Sequence, residues 1–166
     1  MRSTYTFRQS SASIACMVSV LLFLAATAFS QAPDKQIVIS GDTGLKWVDT
    51  GITVATGDTV KLDAKGEVDV GGTWGIHGPE GTTKFSEQPA GYYPLETKLR
   101  YGLAAKIVSA PARGKKAQPA QTWIYGEKKE AIAARSGTLW LTVNDDAPEG
   151  NIGEFTVDIT IVKKNK

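Results

Sequence analysis

The chain has very few of the residues that most catalytic, redox and zinc sites use. Its 166 residues include one cysteine, Cys16, and one histidine, His77. This scarcity excludes disulfide pairing within the chain and most nucleophile–base arrangements, and no glycine-rich phosphate loop or zinc-ligand spacing is present. An enzyme is therefore the least favoured class. A carboxylate pair that hydrolyses glycosides stays open, although nothing in the sequence pairs two acidic residues across a cleft.

The chain also lacks a strong excess of charge of either sign. It contains 19 Lys and Arg residues and 17 Asp and Glu residues. Two of the basic residues, Arg2 and Arg8, fall in an N-terminal segment that we expect to be removed, which leaves the remainder neutral. A neutral domain gives no reason to expect binding to nucleic acid or to an anionic membrane surface. The basic cluster at residues 113–116 is typical of a solvated loop.

Residues 1–30 have the pattern of a secretory signal peptide. Two arginines precede an uncharged apolar run over residues 14–29, and Ala28 and Ser30 stand at positions −3 and −1 of a cut before Gln31. The run is about sixteen residues long and rich in Ala, Ser and Thr, so a retained membrane anchor is the weaker interpretation. We therefore expect a secreted or periplasmic protein that is not inserted in a membrane after signal removal.

Residues 31–166 are predicted to form a single all-β domain. Alternating apolar and polar residues predict strands at 37–39, 45–54 with a bulge at Gly51, 59–64, 67–70, 103–110, 121–125, 138–143 and 155–161, and a turn plus strand at 127–135. About eight to ten short strands without a convincing helix predict an antiparallel β-sandwich. Three tryptophans in these strands are expected to be packing residues: Trp47, Trp123 and Trp140.

The loop between the last two predicted strands, residues 144–154, is dense in oxygen donors. Its residues 144–151 contain three carboxylates and two amides, namely Asp145, Asp146, Glu149, Asn144 and Asn151. Oxygen donors of this kind are the ligands that Ca²⁺ prefers. The same residue types also populate ordinary turns for backbone reasons, so a metal-free surface turn is the alternative.

A second long loop is predicted over residues 71–98, which are rich in Gly and Pro and show little periodicity. Long loops on a rigid sheet often form binding surfaces. This one contains Trp74, His77, Tyr92 and Tyr93. Aromatic rings in a loop can stack on a pyranose, or they can seal the end of a sandwich core, and both interpretations stay open.

Five segments of the sequence, in order, match the motifs of a known family. They are Trp47-x-Asp49-Thr50-Gly51-Ile52-x-Val54-x-x-Gly57-Asp58-x-Val60-x-Leu62-x-Ala64-x-Gly66, Gly78-Pro79-x-Gly81, Leu103-x-Ala105-Lys106-Ile107, Ser136-Gly137-x-Leu139-x-Leu141-x-Val143-Asn144-Asp145 and Asn151-x-Gly153-x-Phe155-x-Val157-x-Ile159. Over about residues 45–161 the chain resembles the LecA-like (PA-IL-like) family of galactophilic lectins.

The resemblance implies a jelly-roll-like, galactose-binding-like β-sandwich with one Ca²⁺ at its end, which bridges the protein to two vicinal sugar hydroxyls. Because Ca²⁺ takes six to eight oxygens, a protein that supplies only some of them leaves places for sugar hydroxyls. In this chain Asp145 and Asn151 match side-chain ligands of the family. Glu149 falls near the position of a mid-loop carbonyl ligand, and Val70 is the best candidate for a carbonyl ligand from an earlier strand.

The chain departs from the family at several positions. Gly150 stands where the family has a side-chain donor, and the loop is shorter. The galactose-contacting His and Gln of the family have no secure counterpart, because His77 lies too early and Gln88 matches only loosely. Galactose specificity is therefore not carried over. The candidate sugar-contacting residues are Asp146, His77, Trp74 and Gln88.

Two hypotheses from different classes follow. The first is a secreted, non-enzymatic, lectin-like module that uses a loop-held Ca²⁺ to bind a glycan and gains from multivalency as a homo-oligomer. The second is a metal-free structural or interaction β-sandwich protein of the periplasm or envelope, which Gly150 would explain.

Expression of the full chain in a Gram-negative host should give a mature protein that begins at Gln31, because the residues at −3 and −1 are small. Intact-mass measurement of the periplasmic fraction checks this expectation. Replacing Ser30 with Arg should block cleavage, whereas Ser10→Arg, which lies ahead of the apolar run, should leave the cut in place. Full-length protein in the cytoplasm would contradict the prediction.

Overall fold

The computed structural model describes residues 32–87, 93–97, 99–111, 113–114 and 116–165. The predicted signal peptide and Gln88 lie outside these ranges. Within them the chain forms nine strands: β1 (Lys35–Ser40), β2 (Val48–Val54), β3 (Thr59–Asp69), β4 (Ile76–His77), β5 (Leu103–Val108), β6 (Gln121–Ile124), β7 (Glu130–Ile132), β8 (Gly137–Val143) and β9 (Ile152–Val162). No helix in these ranges is long and apolar enough to cross a membrane.

The strands form two sheets in which every pairing is antiparallel. The first sheet has the order β1-β9-β3-β4, and β7 also pairs with β3. The second sheet has the order β2-β8-β5-β6. The all-β antiparallel sandwich predicted from the sequence is therefore confirmed.

The core lies between the two sheets and is formed by the inward faces that the alternation predicted. From β8, Leu139, Leu141 and Val143 are completely buried, and Phe155 and Val157 of β9 are buried against them. Full burial of one such side chain stabilises a fold by roughly 1.5–3 kcal/mol. Burial along β8 and β9 therefore fixes their register and determines where the loop between them begins and ends.

The expectation of separate strands at 59–64 and 67–70 is wrong, because β3 is continuous. It pairs with β9 without interruption from Thr59 to Asp69. Gly66 within it has a φ of 107°, and a Cβ there would lie 2.3 Å from the carbonyl oxygen of Glu154. The glycine thus permits a close approach of two strands and does not end one.

The bulge predicted at Gly51 is present in β2. Gly51 has a φ of 69°, and the register between β2 and β8 shifts between Asp49 and Thr53. Positive φ at an extra residue in one strand is typical of a glycine bulge. The strand continues on the far side of the shift.

The three strand tryptophans have different environments. Trp123 is 3% exposed and belongs to the core, as predicted. Trp47 and Trp140 are only half-buried and flank Lys106, whose ammonium lies 4.2 Å from the centre of the Trp47 ring and 5.7 Å from that of Trp140. These two therefore pack outside the core, where they make cation–π contacts on the other face of the second sheet.

Asp58 joins the turn before β3 to the chain after β9. Its carboxylate accepts hydrogen bonds from the Ala55 N–H at 2.9 Å and the Lys164 N–H at 3.2 Å, and it pairs with the Lys163 ammonium at 2.9 Å. These bonds, led by the one from Ala55 and then that from Lys163, lower the pKa of Asp58 from 3.8 to about 2. The ionised form is favoured in the folded state.

Because folding lowers this pKa, the contribution of Asp58 to stability is complete above about pH 4 and is lost as the pH falls towards 2. The Asp58→Asn variant should therefore unfold at a lower temperature at pH 7 and show less loss of stability between pH 4 and 2. Thermal unfolding measured across this range checks it. Asp63→Asn, on an exposed strand position, is the control and should behave as the parent.

Candidate functional site

The loop over residues 144–151 connects β8 of the second sheet with β9 of the first, so it crosses between the sheets at one end of the sandwich. Its first residue, Asn144, is completely buried. The side-chain amide donates to the Leu99 carbonyl at 2.8 Å and accepts from the Leu95 N–H at 2.9 Å. From the sequence, the Asn144 amide is one of the oxygen donors of the loop. In the structure this amide instead binds the backbone of Leu95 and Leu99.

Asp145 and Asn151 come together across the loop, as the sequence predicted for two ligands of one site. Asp145 is 2% exposed, and its Oδ2 accepts a hydrogen bond from Asn151 Nδ2 at 2.6 Å. Its Oδ1 accepts from the Ala147 N–H at 3.1 Å. Among the described residues, Asp145 forms no ion pair. A buried carboxylate without a cation is electrostatically costly, so this position favours a cation.

Main-chain oxygens border the same pair. Asn151 Nδ2 also donates to the Gly41 carbonyl at 3.0 Å. The register of β3 and β9 ends at Asp69 and Ile152, so one step further brings Val70 opposite Asn151. One carboxylate, one amide and neighbouring carbonyls are a donor set that suits a hard, oxygen-binding cation.

The other predicted ligand, Glu149, is exposed. It makes no hydrogen bond or ion pair with any other residue that the structure describes. Within the described ranges no three histidine, aspartate or glutamate side chains converge as metal ligands. A cation at this loop would therefore need amide and main-chain oxygens in addition to Asp145.

Beside this loop lies an aromatic cluster, which we define as Trp74, His77, Phe85, Tyr93 and Tyr101. The His77 ring stacks on Tyr101 with centroids 4.9 Å apart, and Trp74 contacts Phe85 edge to face at 4.6 Å. Trp74 is 37% exposed, whereas Tyr93 and Tyr101 are buried. The two tyrosines therefore pack inside the protein, whereas Trp74 is partly open to solvent; that an aromatic ring of this loop stacks on a pyranose stays a prediction.

Tyr101 links the cluster to the loop through its backbone. Its φ of 61° is rare for a bulky residue, and its N–H donates to the Asn144 carbonyl at 2.9 Å. Such strained residues persist only where the surroundings hold them, and they concentrate at functional sites. The sequence did not single out Tyr101 or Phe85, because neither falls in a periodic segment or a recognisable motif.

The tyrosine hydroxyls of the cluster interact with Asp146. The Tyr93 hydroxyl interacts with that of Tyr101 and with the Asp146 carboxylate. Burial, followed by the interaction with Tyr93 and the negative charge of Asp145 and Asp146, raises the pKa of Tyr101. Burial likewise raises the pKa of Tyr93. Both phenols therefore stay protonated at neutral pH.

The structure thus brings together most of the residues predicted for the site. Asp145 and Asn151 are in contact, Val70 directly follows the last pair of β3 with β9, and Asp146 interacts with Tyr93 of the cluster that contains His77 and Trp74. A separate cavity of about 550 Å³ contains none of the predicted residues; it is lined by Leu95, Glu96, Thr97, Thr122, Trp123, Ile124 and Glu127.

The structure is similar to a solved domain described as "EclA N-terminal domain; PllA-like lectin". The TM-score is 0.53 and the sequences are 19% identical, over 80% of this chain and 99% of that one. At this identity the likeness shows a shared fold, which is that of a lectin domain. No protein-family model matches the sequence, and no curated protein matches it.

A double-mutant cycle can test the interaction between Tyr93 and Asp146. Tyr93→Phe and Asp146→Ala should each lower the free energy of unfolding by about 1 kcal/mol, because each removes one partner of this polar interaction. Their effects should be coupled by at least about 0.5 kcal/mol in urea unfolding. Tyr93→Phe with Glu149→Gln is the control pair and should be additive. Additivity in both pairs would contradict the interaction between Tyr93 and Asp146.

Proposed function

We propose that the protein is a non-enzymatic carbohydrate-binding module that uses a loop-held Ca²⁺ to bind sugar hydroxyls. The observation that carries the proposal is the convergence of the buried Asp145, Asn151 and main-chain oxygens at one end of the sandwich, beside an aromatic cluster. The fold shared with a lectin domain supports it. The ordered sequence motifs that resemble those of the LecA-like lectins also support the proposal.

In this proposal Asp145 and Asn151 are the side-chain ligands, and Val70 contributes a carbonyl from the end of β3. Glu149 is exposed in the same loop and could supply a further oxygen. Bound Ca²⁺ takes six to eight oxygens, so a partial protein shell leaves positions for two hydroxyls of one sugar. The negative charge of Asp145 and Asp146 would favour uptake of the cation.

The sugar would lie against the neighbouring side chains. Trp74 exposes part of its indole, and His77 is half-buried next to it. Asp146, which interacts with Tyr93, can accept a hydrogen bond from a hydroxyl group. These groups suit a pyranose, which has an apolar face and polar edges. We infer a glycan as the partner and, from residues 1–30, export to the periplasm or the exterior.

Several properties of the chain agree with a binding role. Equal numbers of acidic and basic residues in residues 31–166 give no support for nucleic acid as partner. One weak sugar site gains greatly when several copies act together, so a homo-oligomer would suit this function.

A metal-free interaction protein is the second candidate, and one observation favours it. The 2.6 Å bond between Asn151 and Asp145 satisfies one carboxylate oxygen without any ion, and Ala147 satisfies the other. Under this alternative the loop is a rigid turn, and calcium has no effect.

Thermal unfolding of residues 31–166 in EDTA and across a calcium titration decides between the two. A ligand that binds only the native state adds about 2.7 kcal/mol at a hundredfold excess over its Kd, which raises the unfolding temperature by several degrees. We expect this rise in the parent and its loss in Asp145→Ala. Asp63→Ala, at an exposed strand position, is the matched control and should keep the rise.

The measured quantity is the difference in unfolding temperature between calcium and EDTA for each variant. Any general destabilisation by Asp145→Ala therefore cancels. Binding to immobilised glycans should then depend on calcium in the parent and in Asp63→Ala. No calcium effect at millimolar concentration would leave the metal-free interaction protein as the better account.

A further inference from the structure

The Gly41 carbonyl lies at the centre of the proposed calcium site, although it is remote from the acidic loop in sequence. Gly41 is buried and directly follows β1. Its carbonyl oxygen is 3.0 Å from Asn151 Nδ2, which is itself 2.6 Å from Asp145 Oδ2. A single amide N–H₂ group is thus shared by two oxygens from different parts of the chain.

The backbone holds this carbonyl in place. The Gly41 N–H donates to the Gly153 carbonyl at 2.9 Å, which extends the pairing of β1 with β9 by one residue. Nearby, Asn151 donates its own N–H to the Pro148 carbonyl at 3.1 Å. The carbonyl of Gly41 therefore belongs to the sheet and not to a flexible segment.

Only glycine fits at position 41. A Cβ there would lie 2.7 Å from Val68 Cγ1 and 3.3 Å from both Asn151 Cβ and the Gly153 carbonyl oxygen. A distance of 2.7 Å is shorter than carbon atoms tolerate, so an added side chain would force Gly41 or Val68 to move. A shift of Gly41 would change the distance between its carbonyl and Asn151.

At the other end of the loop, an oxygen donor is absent from position 150. Gly150 has no side chain to offer, and its φ of 90° is a conformation that glycine adopts readily. Ca²⁺ with six to eight oxygens needs a replacement from elsewhere in the chain. Carbonyl oxygens are ordinary calcium ligands, and that of Gly41 already accepts a hydrogen bond from the Asn151 side chain, which also binds Asp145.

We propose that the Gly41 carbonyl is a calcium ligand that replaces the donor which Gly150 cannot provide. The inference rests on the proposed function, because it assumes that Asp145 and Asn151 bind calcium. Asn151 would turn its amide so that Oδ1 faces the ion. The Gly41 carbonyl and the Asp145 carboxylate, which now share the N–H₂ group, would then both contact the ion.

A crystal structure of residues 31–166 grown with Ca²⁺ tests the assignment, since a ligand oxygen lies about 2.3–2.6 Å from the ion. We expect the Gly41 oxygen within this range together with Asp145. An ion bound by Asp145 but far from Gly41 would overturn the inference and leave the proposed function intact. Failure of calcium to stabilise the protein at all would overturn both.

Gly41→Ala gives a solution test. We expect calcium affinity, measured by calorimetry, to fall at least tenfold, because the added Cβ displaces the carbonyl. Gly114→Ala is the control: Gly114 lies in the loop between β5 and β6, outside the proposed site, and a Cβ there meets nothing within 4 Å. Unchanged affinity in a folded Gly41→Ala protein would contradict the proposal. If that variant does not fold, the crystal structure still decides.

Discussion

The hydrogen bonds of the buried Asn144 hold together the end of the sandwich on which the candidate site depends. Its side chain contacts Leu95 and Leu99, and its backbone pairs with Gly102 and Tyr101. Each of these bonds lies inside the protein, where an unpaired amide would cost about 1–3 kcal/mol. The long loop before β5 and the acidic loop after β8 are therefore fixed relative to one another by one residue.

The hydrogen bonds of Asn144 fix the positions of the two parts of the site relative to each other. On one side, Asp145 and Asn151 meet next to the Gly41 carbonyl; on the other, Tyr101 and Tyr93 lead to Asp146. The charge of the site and the shape of its surface are determined by different residues. The carboxylates and carbonyls favour a hard cation, whereas the aromatic rings provide a face for an apolar surface. A calcium-bridged sugar needs both.

Much of the fold could be predicted from the sequence, because a buried face imposes a period of two on a strand. The inward residues of β8 and β9, such as Leu141 and Val157, are buried as that period requires. The predictions of strand boundaries and of buried side chains failed at residue types that occur in two different environments. Gly66 resembles a strand end but lies within β3, and Trp140 is apolar yet faces outward beside Lys106. A local pattern cannot separate these cases, since the partner strand decides them.

The oxygen donors of the site, and the place of Asp145 and Asn151 in one loop between two strands, can be found in the amino-acid sequence. Which donors are available to a ligand depends on the folded structure. There the Asn144 amide binds backbone groups, the Gly41 carbonyl contacts Asn151, and the aromatic cluster forms around Tyr101. These features could not be predicted because hydrogen bonds and ring contacts join residues far apart in the chain. Their geometry depends on the packing of both sheets and leaves no local mark in the sequence.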